Sequence, residues 1–158
     1  MASNSNDPQR RTIRFDNHQE IVDEAQRLID NGHEARDNWT LGQILEHLAR
    51  GNESTYEGFD FSVPWLVRTF IGPLMKNRFI YSSMPAGYKF RTKTVLEPPA
   101  DVDATAALEH LSVTLKRLSG EAPTHPHPLI GYLSHDEWKN LALRHAELHL
   151  SFVHPKSR

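Results

Sequence analysis

The chain has 158 residues, enough for one ordinary domain around one core. Eighteen Lys and Arg against twenty Asp and Glu give a formal net charge of −2, which argues against a nucleic-acid protein that works by neutralising phosphates. No cysteine is present, so disulfides, thiolate zinc sites, iron–sulfur clusters and cysteine nucleophiles are excluded; ten histidines direct the search for chemistry instead.

The opening residues MASNSNDPQRR are polar and lack the apolar stretch of a signal peptide. Residues 1–12 read as a flexible arm ahead of a single domain over 13–158. No run of about 18 apolar residues occurs, so no membrane-spanning helix is expected. A soluble, cytoplasmic protein without membrane contact is the default reading.

A first helix is predicted from about Asn17 to Asn31. Asn17 and Glu20 form a capping-box pair, Ile21, Ala25, Leu28 and Ile29 fall at helical spacing, and Gly32 sits at the C-terminal cap. A second is predicted from about Thr40 to Glu57, with Thr40 and Gln43 as its capping box. Leu41, Ile44, Leu45 and Leu48 mark its buried stripe, and Trp39 is placed to staple against its first turn. Pro64 suits the start of a short helix, which Pro73 should kink or end near Lys76. Residues 81–102 read as a long connection, briefly extended over Lys89 to Val95 without an evident partner strand. A further helix from about Asp103 to Leu118 buries Ala104, Ala107, Leu108, Leu111, Leu115 and Leu118. The last begins at Ser134, with Glu137 completing its box, and reaches about Val153 before Pro155. Four substantial helices and one short one predict an all-α fold, a four-helix bundle whose long crossover carries the extra helix.

The last predicted helix holds the anomaly. Trp138, Leu141, Ala142, Leu148 and Phe152 define an apolar stripe, and His145 and His149 fall in its centre. They are one turn apart and point the same way. A buried polar group without a partner costs roughly 1–3 kcal/mol, so both rings need partners. One divalent cation would serve both; a backbone carbonyl or a carboxylate would also serve. His47, on the flank of the second helix's stripe, is the best third ligand by location. Small residues share that flank, Gly51 one turn on and Ser54 two turns on. The competing reading of His47 is a half-buried helix-edge histidine. His127, between prolines in His125-Pro-His127-Pro, is either a pocket acid/base or substrate contact, or the fixing residue of a turn. His18, His33, His110, His135 and His154 fall at caps, loops or polar faces and read as solvated, as do Glu20, Asp23 and Glu24. Neither H-E-x-x-H, Glu-x-x-His, a P-loop, G-x-S-x-G nor G-x-G-x-x-G occurs.

The stretch NWTLGQILEHLARG resembles the second-helix signature of the DinB-like (DinB/YfiT) superfamily of metalloenzymes, and RHAELHLSF resembles its closing H-x-x-x-H helix. The run HPLIGYLSHDEWKNLALRHAELHLSFV further resembles an uncharacterised subgroup, through His127, Pro128, Gly131, Trp138, His145, His149 and Leu150. The resemblance implies a bundle with a long crossover and a divalent metal, nickel or zinc, on His47, His145 and His149. Three imidazoles leave an open position, the catalytic arrangement. Such a site suits a hydrolase that activates water, or a transferase or isomerase that takes a low-molecular-weight thiol as cosubstrate of a small-molecule substrate. The alternative is a non-catalytic domain whose site is structural or empty. A homodimer or partner-binding surface is a further expectation, around Phe59 to Trp65 and Phe70 to Phe79.

Overall fold

The computed structural model describes residues 9–87 and 93–156. Helix starts fall where the capping residues stand. Four long helices, α1 (His18–Asn31), α2 (Leu41–Glu57), α5 (Ala104–Gly120) and α6 (His135–Leu150), are joined by two short ones, α3 (Trp65–Phe70) and α4 (Gly72–Tyr81). The boxes at Thr40/Gln43 and Ser134/Glu137 are both reciprocal. At α1 only half of the expected box forms. The Asn17 side chain accepts the Glu20 N–H at 3.1 Å, but the Glu20 carboxylate accepts from the Asp16 N–H, one residue early. Asp103 caps α5 by accepting the Ala106 N–H at 2.9 Å.

Three expectations are corrected. The single short helix is two helices, because Pro73 lies in the first turn of α4, where a missing N–H costs nothing, and so starts a helix rather than ending one. α6 stops at Leu150, and Val153–Pro155 forms a strand, β2, antiparallel to β1 (His33–Ala35), with His33 opposite Pro155 and Ala35 opposite Val153. Three-residue strands carry no readable alternation, so helix periodicity alone extended α6 through them. Val95 is no part of a strand, while 89–92 of the expected extended stretch lie outside the described residues. The architecture is mostly helical with this one small sheet among the described residues.

The core explains why the long helices need one another. Ile21, Ala25 and Leu28 of α1, Leu41, Ile44, Leu45, Leu48 and Ala49 of α2, Ala107, Leu108, Leu111 and Leu115 of α5, and Leu143, Ala146 and Leu150 of α6 form one buried cluster. Each leucine or isoleucine among them contributes roughly 1.5–3 kcal/mol on burial, and each alanine less. A second cluster joins Phe79 of α4, Met84, Leu118 of α5, and Trp138 and Leu141 of α6. Two glycines permit the closest approaches. A Cβ at Gly42 would stand 2.2 Å from the Val102 carbonyl oxygen, and one at Gly72 would stand 2.5 Å from that of Leu129. α2 is thereby pressed against the end of the long connection, and α4 against the turn that carries His127.

The segment ahead of α1 is held by its arginines. The Arg11 N–H donates to the Ser151 carbonyl at 2.9 Å and its side chain to the Val153 carbonyl at 2.6 Å; Arg11 also pairs with Glu24. Arg10 donates to the Ser151 hydroxyl at 2.9 Å. Phe15 is buried, and its N–H and C=O bond to Glu147 and Arg144. Residues 1–8 of the expected arm lie outside the described residues. Glu24, read as solvated, is instead the paired anchor of Arg11 and Arg27.

Candidate metal centre

α2 and α6 bring three imidazoles together. His47 Nε2 lies 3.1 Å from His145 Nε2, which lies 3.1 Å from His149 Nε2. The ring centroids are 4.6 to 5.0 Å apart. Helix geometry accounts for it: His145 and His149 are one turn apart on α6, and His47 meets them from the facing helix. Gly51, one turn on from His47, faces the His145 ring, and a Cβ there would stand in ordinary van der Waals contact with it at 3.7 Å.

α6 buries more than the one stripe that periodicity suggests. α6 buries two faces, Leu143, Ala146 and Leu150 in the main cluster and Trp138 and Leu141 in the second. At 100° per residue the histidines stand on the side of Trp138 and Leu141. Arg144 and Glu147, also on α6, are buried as well. They form an ion pair at 3.0 Å that receives the Phe15 backbone, a use of charge that periodicity does not reveal.

The tautomers favour a cation. His47 Nδ1 lies 2.8 Å from the Leu96 carbonyl, which can only accept, so Nδ1 carries the hydrogen and a neutral ring presents the Nε2 lone pair to its neighbours. His145 Nε2 takes part in both close contacts and carries at most one hydrogen. Desolvation lowers the pKa of His47 and holds those of His145 and His149 well below the ordinary imidazole value, with the neighbouring histidines adding to the effect on the last two. Neutral rings with converging lone pairs are the donor set a divalent metal requires. Nitrogens about 2.0–2.1 Å from a tetrahedral ion stand roughly 3.3 Å apart, close to the spacing found. The residues present therefore fit a metal ion.

Trp39 completes the wall. Its ring lies 4.8 Å from that of His47 and stacks on that of His149 at 5.9 Å. The expected staple to the first turn of α2 understates this residue. An aromatic residue immediately ahead of a cap was the available signal. The Leu96 carbonyl, a backbone group far along the chain, left no signal at all.

His127 is not a member of the three-ring cluster. It lies in a tight turn closed by mutual backbone bonds with Gly131 at 2.8 and 2.9 Å. Its Nδ1 accepts the N–H groups of Leu129 and Ile130 at 3.2 and 3.1 Å, which puts the ring hydrogen on Nε2. Its ring lies 5.9 Å from Trp138 and 6.2 Å from Phe59, and desolvation lowers its pKa to about 4. A charge on His127 would add to the cost of charging His145.

The five histidines read as solvated are all half-buried and bonded. His33 Nδ1 lies 3.0 Å from the Leu28 carbonyl, His135 Nε2 2.6 Å from that of Leu118, and His154 Nε2 2.9 Å from that of Gln9. His18 joins Ser119 and the Lys139 carbonyl. His110 bridges Glu46 and Glu53 at 2.9 Å each. Short-range periodicity places such residues on polar faces, but the partners of His18, His110 and His135 come from other helices.

No helix among the described residues is long and apolar enough to cross a membrane. No curated protein and no solved structure matches the chain. Residues 7–156 match the family model described as "Protein of unknown function (DUF1569)". With nearly its whole length matched, the chain belongs to the DUF1569 family.

Proposed function

We propose that this protein is a metal-dependent enzyme acting on a small molecule, with His47, His145 and His149 holding one divalent ion, nickel or zinc. The observation that carries the reading is the convergence of three Nε2 atoms from α2 and α6 with no carboxylate among them. Three protein ligands leave coordination positions open, and an ion bound there would supply Lewis acidity to a substrate oxygen or thiol. In this reading the cytoplasm is the working compartment, and the four long helices form a bundle of the DinB/YfiT kind, on the strength of the helix signatures around His47 and His145.

The chain's own groups then have distinct duties. The Leu96 carbonyl fixes the His47 ring in the tautomer that offers Nε2. Trp39 covers two of the ligand rings and keeps water from that side. His127 is a substrate contact. With Nδ1 engaged by two backbone N–H groups and a pKa of about 4, it is a poor base at neutral pH, and its Nε2–H is suited to donate to a substrate oxygen. Hydrolase and thiol-dependent transferase or isomerase are the two reaction classes this arrangement serves.

The test is turnover by chain loaded with nickel or zinc, on ester, amide and epoxide panels, with and without low-molecular-weight thiols. Activity that disappears on chelation and returns with metal supports the reading. Metal that raises only the melting temperature, with no exchangeable ligand position detected by water relaxation or azide titration, favours a structural site in a binding module.

A further inference from the structure

The outer faces of α3 and α4 stand apart from the rest of the molecule. No residue of α3 is buried. Trp65, Phe70 and Leu74 are 67%, 68% and 72% exposed, and Leu66, Ile71 and Tyr81 are exposed as well. On α4 the inward face is Gly72, Phe79 and Ile80, while Leu74, Asn77, Arg78 and Tyr81, at helical spacing, share the opposite one. So many large apolar side chains on two consecutive short helices mark an interaction surface rather than scattered exposure.

Charge identifies the partner. Between Asp60 and Glu97 the sequence contains no Asp or Glu, but holds Arg68, Lys76, Arg78, Lys89, Arg91 and Lys93. The chain as a whole is net −2, so this stretch is a basic island in an acidic protein. Arg68, Arg78 and Lys93 are exposed; Lys76 pairs with Glu137 of α6. Two-fold pairing of this face with a second copy would gather the arginines of both copies at an interface whose own stretch has no Asp or Glu to pair with them, which disfavours it. An anionic bilayer surface accepts both features, the aromatic and aliphatic groups at the headgroup boundary and the arginines against phosphates.

We infer that the α3–α4 face docks on anionic lipid surfaces, lying on the membrane without crossing it. This reverses the expectation of a protein without membrane contact, and it does not depend on the metal reading. Each basic side chain at such a surface is worth roughly a fivefold gain in partitioning.

Co-sedimentation of the full chain with phosphatidylcholine vesicles, alone or with added phosphatidylserine, tests it. Binding is expected only to the anionic vesicles, with a blue shift of tryptophan fluorescence as Trp65 leaves water. The Arg68→Glu/Arg78→Glu variant should bind at least about twentyfold more weakly. The Trp65→Ser/Leu74→Ser variant should lose the blue shift while melting like wild type, since neither side chain is buried. Failure to sediment with anionic vesicles overturns the proposal, as does equal binding to neutral ones. A dimer in sedimentation velocity that Trp65→Ser/Leu74→Ser splits, without vesicle binding, overturns it too and makes the face a self-interface.

Discussion

His47 donates its Nδ1–H to the carbonyl of Leu96 at 2.8 Å, tying a ring of α2 to the connection forty-nine residues later. The bond selects the tautomer, so the long connection serves the site as well as linking helices. His47→Asn tests this division of labour. An asparagine amide can keep the bond to Leu96 but offers nothing at the Nε2 position. Metal affinity should fall by more than about 100-fold, the upper end of what losing a supporting bond alone costs. The apo variant should melt near the wild-type temperature. An apo variant that unfolds would show the ring to be chiefly structural.

Proton competition should begin at unusually low pH. An imidazole binds metal only when neutral, and desolvation keeps the His47, His145 and His149 values below the ordinary imidazole value. Metal should therefore stay bound as pH falls through about 6.5, where a solvated histidine site begins to release it, and leave at lower pH. The same depressed values make the apo fold lose stability as pH falls below about 6.5, because the unfolded chain takes up protons that the folded one resists. A pH series of metal dissociation by competition with a chelator checks the first point, and apo melting curves check the second. Metal release centred at the ordinary histidine value would contradict the account.

His127→Asn should separate turn from chemistry. The asparagine oxygen can accept the Leu129 and Ile130 N–H groups in place of Nδ1, while the Nε2–H is lost. Metal content and melting should stay near wild type, and kcat/KM of the metal-loaded chain should fall by about 100-fold or more. Unchanged kcat/KM would leave His127 as a turn residue only.

His110 joins α5 to α2 with both ring nitrogens on carboxylates, those of Glu46 and Glu53, while Arg50 shares Glu46. Burial alone would lower its pKa, but the two carboxylate bonds outweigh it and the net shift is upward. The sign follows: its contribution is full below the unfolded value of about 6.5 and is lost as pH rises through the higher folded value. Melting curves from pH 6 upward should show wild type losing an advantage over His110→Gln. Parallel curves would show that the ring stays neutral in the fold. The bridge is partly exposed, so the effect should weaken with salt.

Much of this was legible because local rules governed it. The caps at Thr40, Asp103 and Ser134 and the stripe of α2 are set by neighbours three or four residues apart, and there the expected helices stand. The pairing of His145 with His149 is of the same kind. His47 needed a second clue, the small residue at Gly51, which the structure places against the His145 ring. What could not be read depends on distant partners. Arg144 and Glu147 are buried because the Phe15 backbone lies on them, and β2 forms because β1 is there to meet it. Arg11 is held by carbonyls at the far end of the chain. Such pairings leave no periodic trace.

Metal analysis of untagged protein, purified after growth with added nickel and zinc, bears most directly on the central claim. The wild-type chain should carry one divalent ion, and a His145→Ala/His149→Ala variant that still folds should carry none. A wild-type chain that emerges without stoichiometric metal, or a double variant that retains it, would contradict the three-histidine centre.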